Sequence, residues 1–243
     1  MRNALMTQMR LDKLLALQTG ISRREAAVLV RQGAACLCGQ PLYDPAQKVD
    51  PNHVTLQGKP IGYQKFVYLM MHKPAGVLTA AKDTKQQTVM DLVPPKLLRR
   101  GIQPVGRLDK DTTGLLLLTD NGMLAHQLLS PQHHVWKTYR ARLSCPLPSG
   151  AEKQFAKGLE LSDFVCLPAK LCLLEDGAAP LYEIQIREGK YHQVKRMFAA
   201  AGSHVTALCR TGFGKLCLPE NLPEGSCRSL TAEEADLLLK ASN

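Results

Sequence analysis

No stretch of this chain approaches the roughly 20 consecutive apolar residues that a membrane-spanning helix requires, so a helical span is excluded. The first residues, Met1-Arg2-Asn3-Ala4-Leu5-Met6-Thr7-Gln8, lack the apolar stretch and cleavage site of a secretory signal. They are expected to form a short disordered extension, and the cytoplasm is the expected compartment. None of the eight cysteines stands in a C-x-x-C pair, so they read as small core residues or free thiols, not as a disulfide framework. Cys36 and Cys38 with His133 and His134 do not have the spacing of zinc ligands, and no metal site is expected. A glycine-rich phosphate loop and a dinucleotide fingerprint are also missing, so no cofactor is expected. Internal repeats and low-complexity segments are missing as well. Acidic residues are in deficit: 21 Asp and Glu face 31 Lys and Arg, for a net charge of +10. That balance suits a polyanionic partner whose affinity falls with salt. It leaves RNA and DNA open, while the want of a basic amphipathic helix with a broad apolar face argues against a membrane surface.

What is present is enough for more than one domain: 243 residues, 45% of them hydrophobic. The most informative stretch is Gly106-Arg107-Leu108-Asp109-Lys110-Asp111-Thr112-Thr113-Gly114-Leu115-Leu116-Leu117-Leu118-Thr119. Leu115 to Leu118 form an unbroken apolar run between Gly114 and the turn-like Asp120-Asn121-Gly122, which predicts a core strand. Asp109 then lies in a loop anchored on that strand, between the cations Arg107 and Lys110, which favour its ionised form. Local chemistry leaves two readings of Asp109 open, a carboxylate positioned for chemistry or an Asx residue bonding its own turn.

The first sixty or so residues pattern as a separate module. Leu11, Leu14, Leu15 and Ala16 repeat at helical spacing up to Gly20, and Ser22 to Glu25 is a capping-box pattern opening a second helix. Ala26, Ala27, Leu29 and Val30 supply its inner face, Arg23, Arg24 and Arg31 its solvent side, and Gly33 its end. Cys36 to Pro41 suggests a hairpin turn. Residues 1 to 62 carry eight Lys or Arg against four Asp or Glu. After a linker from Gly62 to about Phe66, a strand from Val67 ends at Pro74. Helices are predicted at Met123 to Leu129 (Leu124, Leu128 and Leu129 inward), Ala151 to Lys157, Tyr191 to Ala201 and Ala232 to Lys240, the last capped by Thr231. Strands are predicted at Tyr139 to Leu143, Val165 to Leu174, Leu181 to Arg187 and, as a pair, Val205 to Leu218. The pattern is α+β with a mostly antiparallel sheet flanked by helices.

The segment around Asp109 resembles the catalytic motif of the pseudouridine synthases, in the branch that acts on small-subunit ribosomal RNA. Three further strings are similar to family motifs in the same order: His72-Lys73-Pro74-Ala75-Gly76, Ser130 to Tyr139, and Arg187-Glu188-Gly189-Lys190-Tyr191-His192-Gln193-Val194-Lys195-Arg196-Met197-Phe198. Residues 9–62 resemble the S4 RNA-binding domain, which leaves 66–243 as the catalytic domain. One departure stands in the first motif, which usually has Asn where this chain has His72.

The resemblance implies an isomerase that breaks the bond between ribose C1′ and uracil N1, rotates the base and rejoins it through C5. A carboxylate must stand beside the glycosidic bond, and Asp109 is the residue implied, whether it attacks C1′ or stabilises or deprotonates the sugar. Asp111 would face the other way in an extended segment and serve the turn. Tyr139 is implied as the ring that stacks on uracil and Lys195 as the cation that holds Asp109 ionised, with Arg196 its substitute, since helical neighbours diverge by about 100°. Arg107 would contact the RNA backbone or fill the gap the base leaves. Lys73 and Lys190 read as phosphate contacts, His192 as a buried, satisfied histidine, and Arg10, Arg23, Arg24 and Arg196 as further RNA contacts. The implied partner is ribosomal RNA in an assembling small subunit, met by a monomer. Two alternatives stay open: large-subunit RNA as substrate, or a non-catalytic RNA-binding or assembly protein.

Overall fold

A computed structural model describes residues 8–130 and 132–241, so the extension expected at residues 1–8 lies, apart from Gln8, outside the described residues. The chain divides into two units, one running to Val67 and taking in Leu98–Ile102, the other comprising Tyr68–Leu97 and the chain from Gln103 onward. Leu98–Ile102 was not foreseen in the first unit. Arg99 ties it there by donating to the carbonyls of Gln64 and Lys65 at 2.6 and 2.8 Å.

In the first unit, helix α1 (Leu11–Thr19) buries Leu11, Leu14 and Leu15 completely and ends at Gly20, whose φ of 78° is the left-handed conformation that glycine adopts freely. Helix α2 (Arg23–Arg31) opens on a reciprocal capping box: Glu25 N donates to Ser22 Oγ at 3.2 Å and Ser22 N to Glu25 Oε2 at 2.8 Å. Its inner face is narrower than the sequence suggested, with Ala26 and Val30, four apart, fully buried and Leu29 only partly so. Strands β1 (Ala35–Leu37) and β2 (Gln40–Leu42) form a hairpin, and β3 (Val54–Leu56) pairs with the other side of β1. The hairpin turn has positive φ at both central residues, Cys38 and Gly39, which matches the twist of the flanking strands. Val49, Val54 and Leu42 close a core around the three leucines.

The second unit is built on a nine-stranded sheet. Its main path runs β7 (Lys170–Glu175), β8 (Leu181–Ile186), β6 (Lys137–Leu143), β9 (Val205–Phe213), β5 (Thr113–Thr119), β4 (Tyr68–Lys73) and β10 (Cys227–Ser229). Among the described strands every pairing is antiparallel except β5 with β9, where Gly114 stands beside Arg210. Leu115 to Leu118 are buried on both faces, which is why this strand reads as a continuous apolar run without alternation. Helices α3 (Gly122–Leu129), α4 (Ala151–Lys157), α5 (Gln193–Ala200) and α6 (Ala232–Lys240) complete the unit. One core gathers Met70, Leu115, Leu117, Leu124, Leu128, Phe213 and Leu238; elsewhere Phe155 and Tyr182 each pack tilted against Phe198, with ring centroids 5.4 and 6.2 Å away.

Three expectations are corrected here. Leu129 is 43% exposed rather than inward, because it is the last residue of α3 and turns toward Gly106. Strand β7 begins at Lys170, not Val165: Val165 makes only an isolated bridge to Glu160, and Pro168, which lacks an N–H, separates it from the ladder. Helix α5 starts at Gln193 because His192 has a φ of 48°, outside the helical region. Strand β10 was not foreseen, since Cys227-Arg228-Ser229 has no apolar alternation; it is defined by its register on Met71, Met70 and Leu69.

Candidate active site

The loop from Val105 to Thr112 is fixed by its backbone. Val105 N donates to Leu117 O at 2.8 Å, Thr79 Oγ1 donates to Leu108 O at 2.8 Å, and Gly76 N donates to Lys110 O at 2.8 Å. Lys73 is fully buried beneath the loop, and its three ammonium hydrogens are used by the carbonyls of Pro74, Lys110 and Thr112 at 2.9, 3.1 and 3.0 Å. Burial pushes this ammonium down to about 8 against the pull of Asp111, Asp109 and Glu224, so it stays charged at neutral pH. The expectation that Lys73 meets a phosphate is therefore wrong: no solvent reaches it, and it clamps the loop instead. Lys73→Met would leave the Pro74 and Thr112 carbonyls without this donor and Lys110 O with only Gly76 N, and a loss of about 3–5 kcal/mol in urea unfolding is expected, with an unchanged m value. A loss below about 1 kcal/mol would show that the clamp bears little on stability.

Two elements bring side chains to this loop. From α5, Lys195 Nζ lies 3.4 Å from Asp109 Oδ2 and 2.6 Å from Asp111 Oδ1. Asp111 therefore does not face away. Thr112 N donates to Asp109 O at 3.2 Å, closing a turn that sends both carboxylates the same way. The Lys195 hydrogen bond is the chief reason the Asp111 carboxyl sits below its usual range. His192 is not buried; its ring stacks on Tyr191 at 3.9 Å, and its Nε2 reaches to 3.6 Å from Asp109 Oδ1. Lys110, expected beside Asp109, points away to Gln86 Oε1 at 2.7 Å. Arg196 pairs with Asp163 and lies over the Phe164 ring, so of the two neighbours it is Lys195 that meets Asp109.

From the sheet, β6 presents Tyr139, 7% exposed, at a bulge: Thr138 faces Gly212 but Tyr139 faces Arg210, so Thr211 is unpaired. Tyr139, Asp109, Lys195 and Arg107 line one small cavity. A carboxylate with a paired ammonium thus stands across from an aromatic ring, an arrangement able to hold a planar base while a negative charge faces the atom beside it.

The chain's residues 67–200 match the model of a family described as RNA pseudouridylate synthase. This chain belongs to that family. Curated pseudouridine synthases align along almost its whole length. The uncharacterized RNA pseudouridine synthase YtzG of Bacillus subtilis (strain 168) is 44% identical over 95% of this chain and 98% of its own. Ribosomal small subunit pseudouridine synthase A of Escherichia coli (strain K12) is 39% identical over 93% of this chain and 98% of its own. A crystal structure of a pseudouridylate synthase superposes with a TM-score of 0.66 at 34% identity, covering 95% of this chain and 99% of that one.

The other candidate contacts of this pseudouridine synthase are dispersed. Lys190 is exposed and sits 3.8 Å from the Phe164 ring centroid, at the rim of the cavity. In the first unit Arg10 and Arg23 both hold Asp12, at 2.9 and 2.8 Å, chiefly through Arg10, and the Asp12 carboxyl falls to about 2. Arg24 is exposed. His72 places Nδ1 2.8 Å from Leu222 O and Nε2 3.9 Å from Glu224 Oε1. Sequence reasoning missed Lys137, two residues before Tyr139 on the same strand face, a spacing that was the available signal, and Arg210, which stands opposite Tyr139 only through cross-strand pairing that no local pattern announces.

Proposed function

We propose that this chain isomerises a uridine of small-subunit ribosomal RNA to pseudouridine, with Asp109 as the catalytic carboxylate. The observation that carries the reading is Asp109 paired with Lys195 and sharing a cavity with Tyr139. In the reaction the N1–C1′ bond breaks and a C5–C1′ bond forms, C5 gives up its proton to solvent and the freed N1 takes one up, so the product is an isomer of the substrate. Asp109 acts at C1′ or on the sugar, Lys195 pairs with it and orients it, and Tyr139 stacks on the uracil as it turns. Family membership supports the reaction; the name of the Escherichia coli relative supports the small-subunit substrate.

A stacked uridine cannot reach such a cavity, so the nucleotide is flipped out at a cost of a few kcal/mol, partly offset by the tyrosine ring. Partly assembled small subunits, in which RNA is less constrained, are the proposed setting, with the protein acting as a cytoplasmic monomer whose net charge of +10 favours the encounter. Residues 9–62 serve in this reading as an S4-like RNA-binding module, through Arg24 and the free sides of Arg10 and Arg23. Pseudouridine mapping of ribosomal RNA from cells with and without the protein is the test. One small-subunit site is expected to vanish and to return with the intact gene. Loss of a large-subunit site, or an unchanged map, would sink the small-subunit reading.

A further inference from the structure

Next to the Asp109 space, and sharing Arg107, Tyr139 and Lys190 with it, lies a cavity of about 690 Å³. That is ample for a ligand group, yet its wall is lopsided in charge. Lys137, Arg187 and Arg210 face it from the sheet and the strand ends, against one carboxylate, Glu188. Glu188 is already engaged, its Oε2 accepting from Leu167 N at 2.9 Å and from Gln193 Nε2 at 2.8 Å.

Arg210 is 3% exposed. Its Nε donates to Leu115 O at 2.8 Å, but its Nη2 is buried with no hydrogen-bond partner among the described residues, and so is the Nε of Arg187. A guanidinium cannot shed its proton, and a buried N–H left unmade costs about 1–3 kcal/mol, so an acceptor is wanted from outside the chain. Lys137, 8% exposed, has one carbonyl, Val135 O at 3.0 Å, for its three hydrogens. Its Nζ lies 5.6 Å and the Arg210 guanidinium 5.4 Å from the centroid of the same Phe213 ring. Burial first, and Arg210 second, push the Lys137 ammonium down to about 8, against Glu188. A neutral base would satisfy a hydrogen bond there but would not relieve two like charges; in RNA the compensating charge is on phosphate.

We propose that Lys137 and Arg210 bind one of the two phosphodiesters flanking the flipped uridine. Lys137 stands two residues from Tyr139 on one strand face, roughly 7 Å along the strand, a separation that one nucleotide spans between its base and its own phosphate. Held at both ends, the nucleotide is fixed while its base turns, which is how a phosphate contact serves a reaction at C1′. The proposal deepens the reading of Asp109 as the catalytic carboxylate and rests on it.

The test is an NMR titration of the full-length protein with uridine, uridine 5′-monophosphate, uridine 3′-monophosphate and inorganic phosphate. One of the two monophosphates is expected to bind at least about tenfold more tightly than uridine, and Lys137→Met to remove that advantage while leaving uridine within about twofold. Lys137→Arg, which keeps the charge, restores the advantage. In the wild type the preference fades as pH rises through about 8, where Lys137 loses its proton among Arg107, Arg187, Lys190, Arg210, Glu188 and His134; in Lys137→Arg it persists. Equal binding of uridine and both monophosphates would overturn the proposal. So would a Lys137→Met protein that loses uridine and monophosphate alike, which marks a structural role. Inorganic phosphate binding as tightly as the preferred nucleotide marks a free-anion site and also overturns it. None of these probes turns over, so their outcome is separate from the fate of Asp109, which is read by product formation on ribosomal RNA.

Discussion

Asp109→Asn is expected to lower pseudouridine formation by at least about 10³-fold while RNA binding shifts by less than about threefold. The amide is nearly the same size, so the loop keeps its shape, but it offers neither a nucleophile for C1′ nor a charge to stabilise the sugar. Lys195 is not stranded by the change, because Asp111 Oδ1 remains at 2.6 Å. Melting behaviour should therefore stay close to that of the wild type, which makes a loss of turnover interpretable as chemistry. Tritium release from RNA labelled at uridine C5, with filter binding in parallel, measures both quantities. Turnover kept within about tenfold of wild type would remove Asp109 from the reaction and direct attention to Asp111, the other carboxylate on the same ammonium.

Gly114→Ala is expected to have the largest effect on stability, at least about 4 kcal/mol, which is a large part of what a typical domain has. Gly114 has a φ of 107°, and a Cβ there would meet the Arg210 carbonyl oxygen at 2.2 Å and the Arg210 nitrogen at 2.6 Å. Both atoms are backbone, so no rotamer change relieves the clash. The contact is the one parallel pairing among the described strands, and its closeness is what brings the loop after Gly106 alongside β9. Gly20→Ala serves as the control: its φ is 78° but nothing lies within 4 Å of an added Cβ, and a cost of about 1 kcal/mol is expected. Urea unfolding of the three proteins decides the matter; similar midpoints for the two variants would mean that the strand junction yields.

The legible parts of the fold were those with a local cause. Ser22 with Glu25, and Thr231 with Glu234, are reciprocal capping boxes whose two bonds close within four residues, so pattern and structure coincide. The leucine run of β5, short and bounded by Gly114 and Asp120-Asn121-Gly122, pointed to a core strand, and it is one buried on both faces. At the site, the resemblance supplied Asp109, Tyr139 and Lys195, and these do line one cavity. What was illegible depended on backbone geometry that no residue type announces. Asp111 shares an ammonium with Asp109 because a turn replaces extended chain between them, and His192 reaches Asp109 from a φ of 48° that a histidine seldom adopts. Arg210 meets Tyr139 only through a bulge in β9. Lys73 next to a proline looks like any surface lysine until the carbonyls of Pro74, Lys110 and Thr112 are found around it.

The hydrogen bond from Arg210 Nε to Leu115 O joins residues 95 apart in the chain. A polypeptide emerging from the ribosome has therefore made the Asp109 loop long before it makes the strand that braces it. Closing so long an interval is entropically slow, and until it closes the leucine strand has an open edge that can stick to other chains. The nascent chain therefore has an unbraced Asp109 loop and an open leucine edge until the strand carrying Arg210, in its last quarter, has been translated.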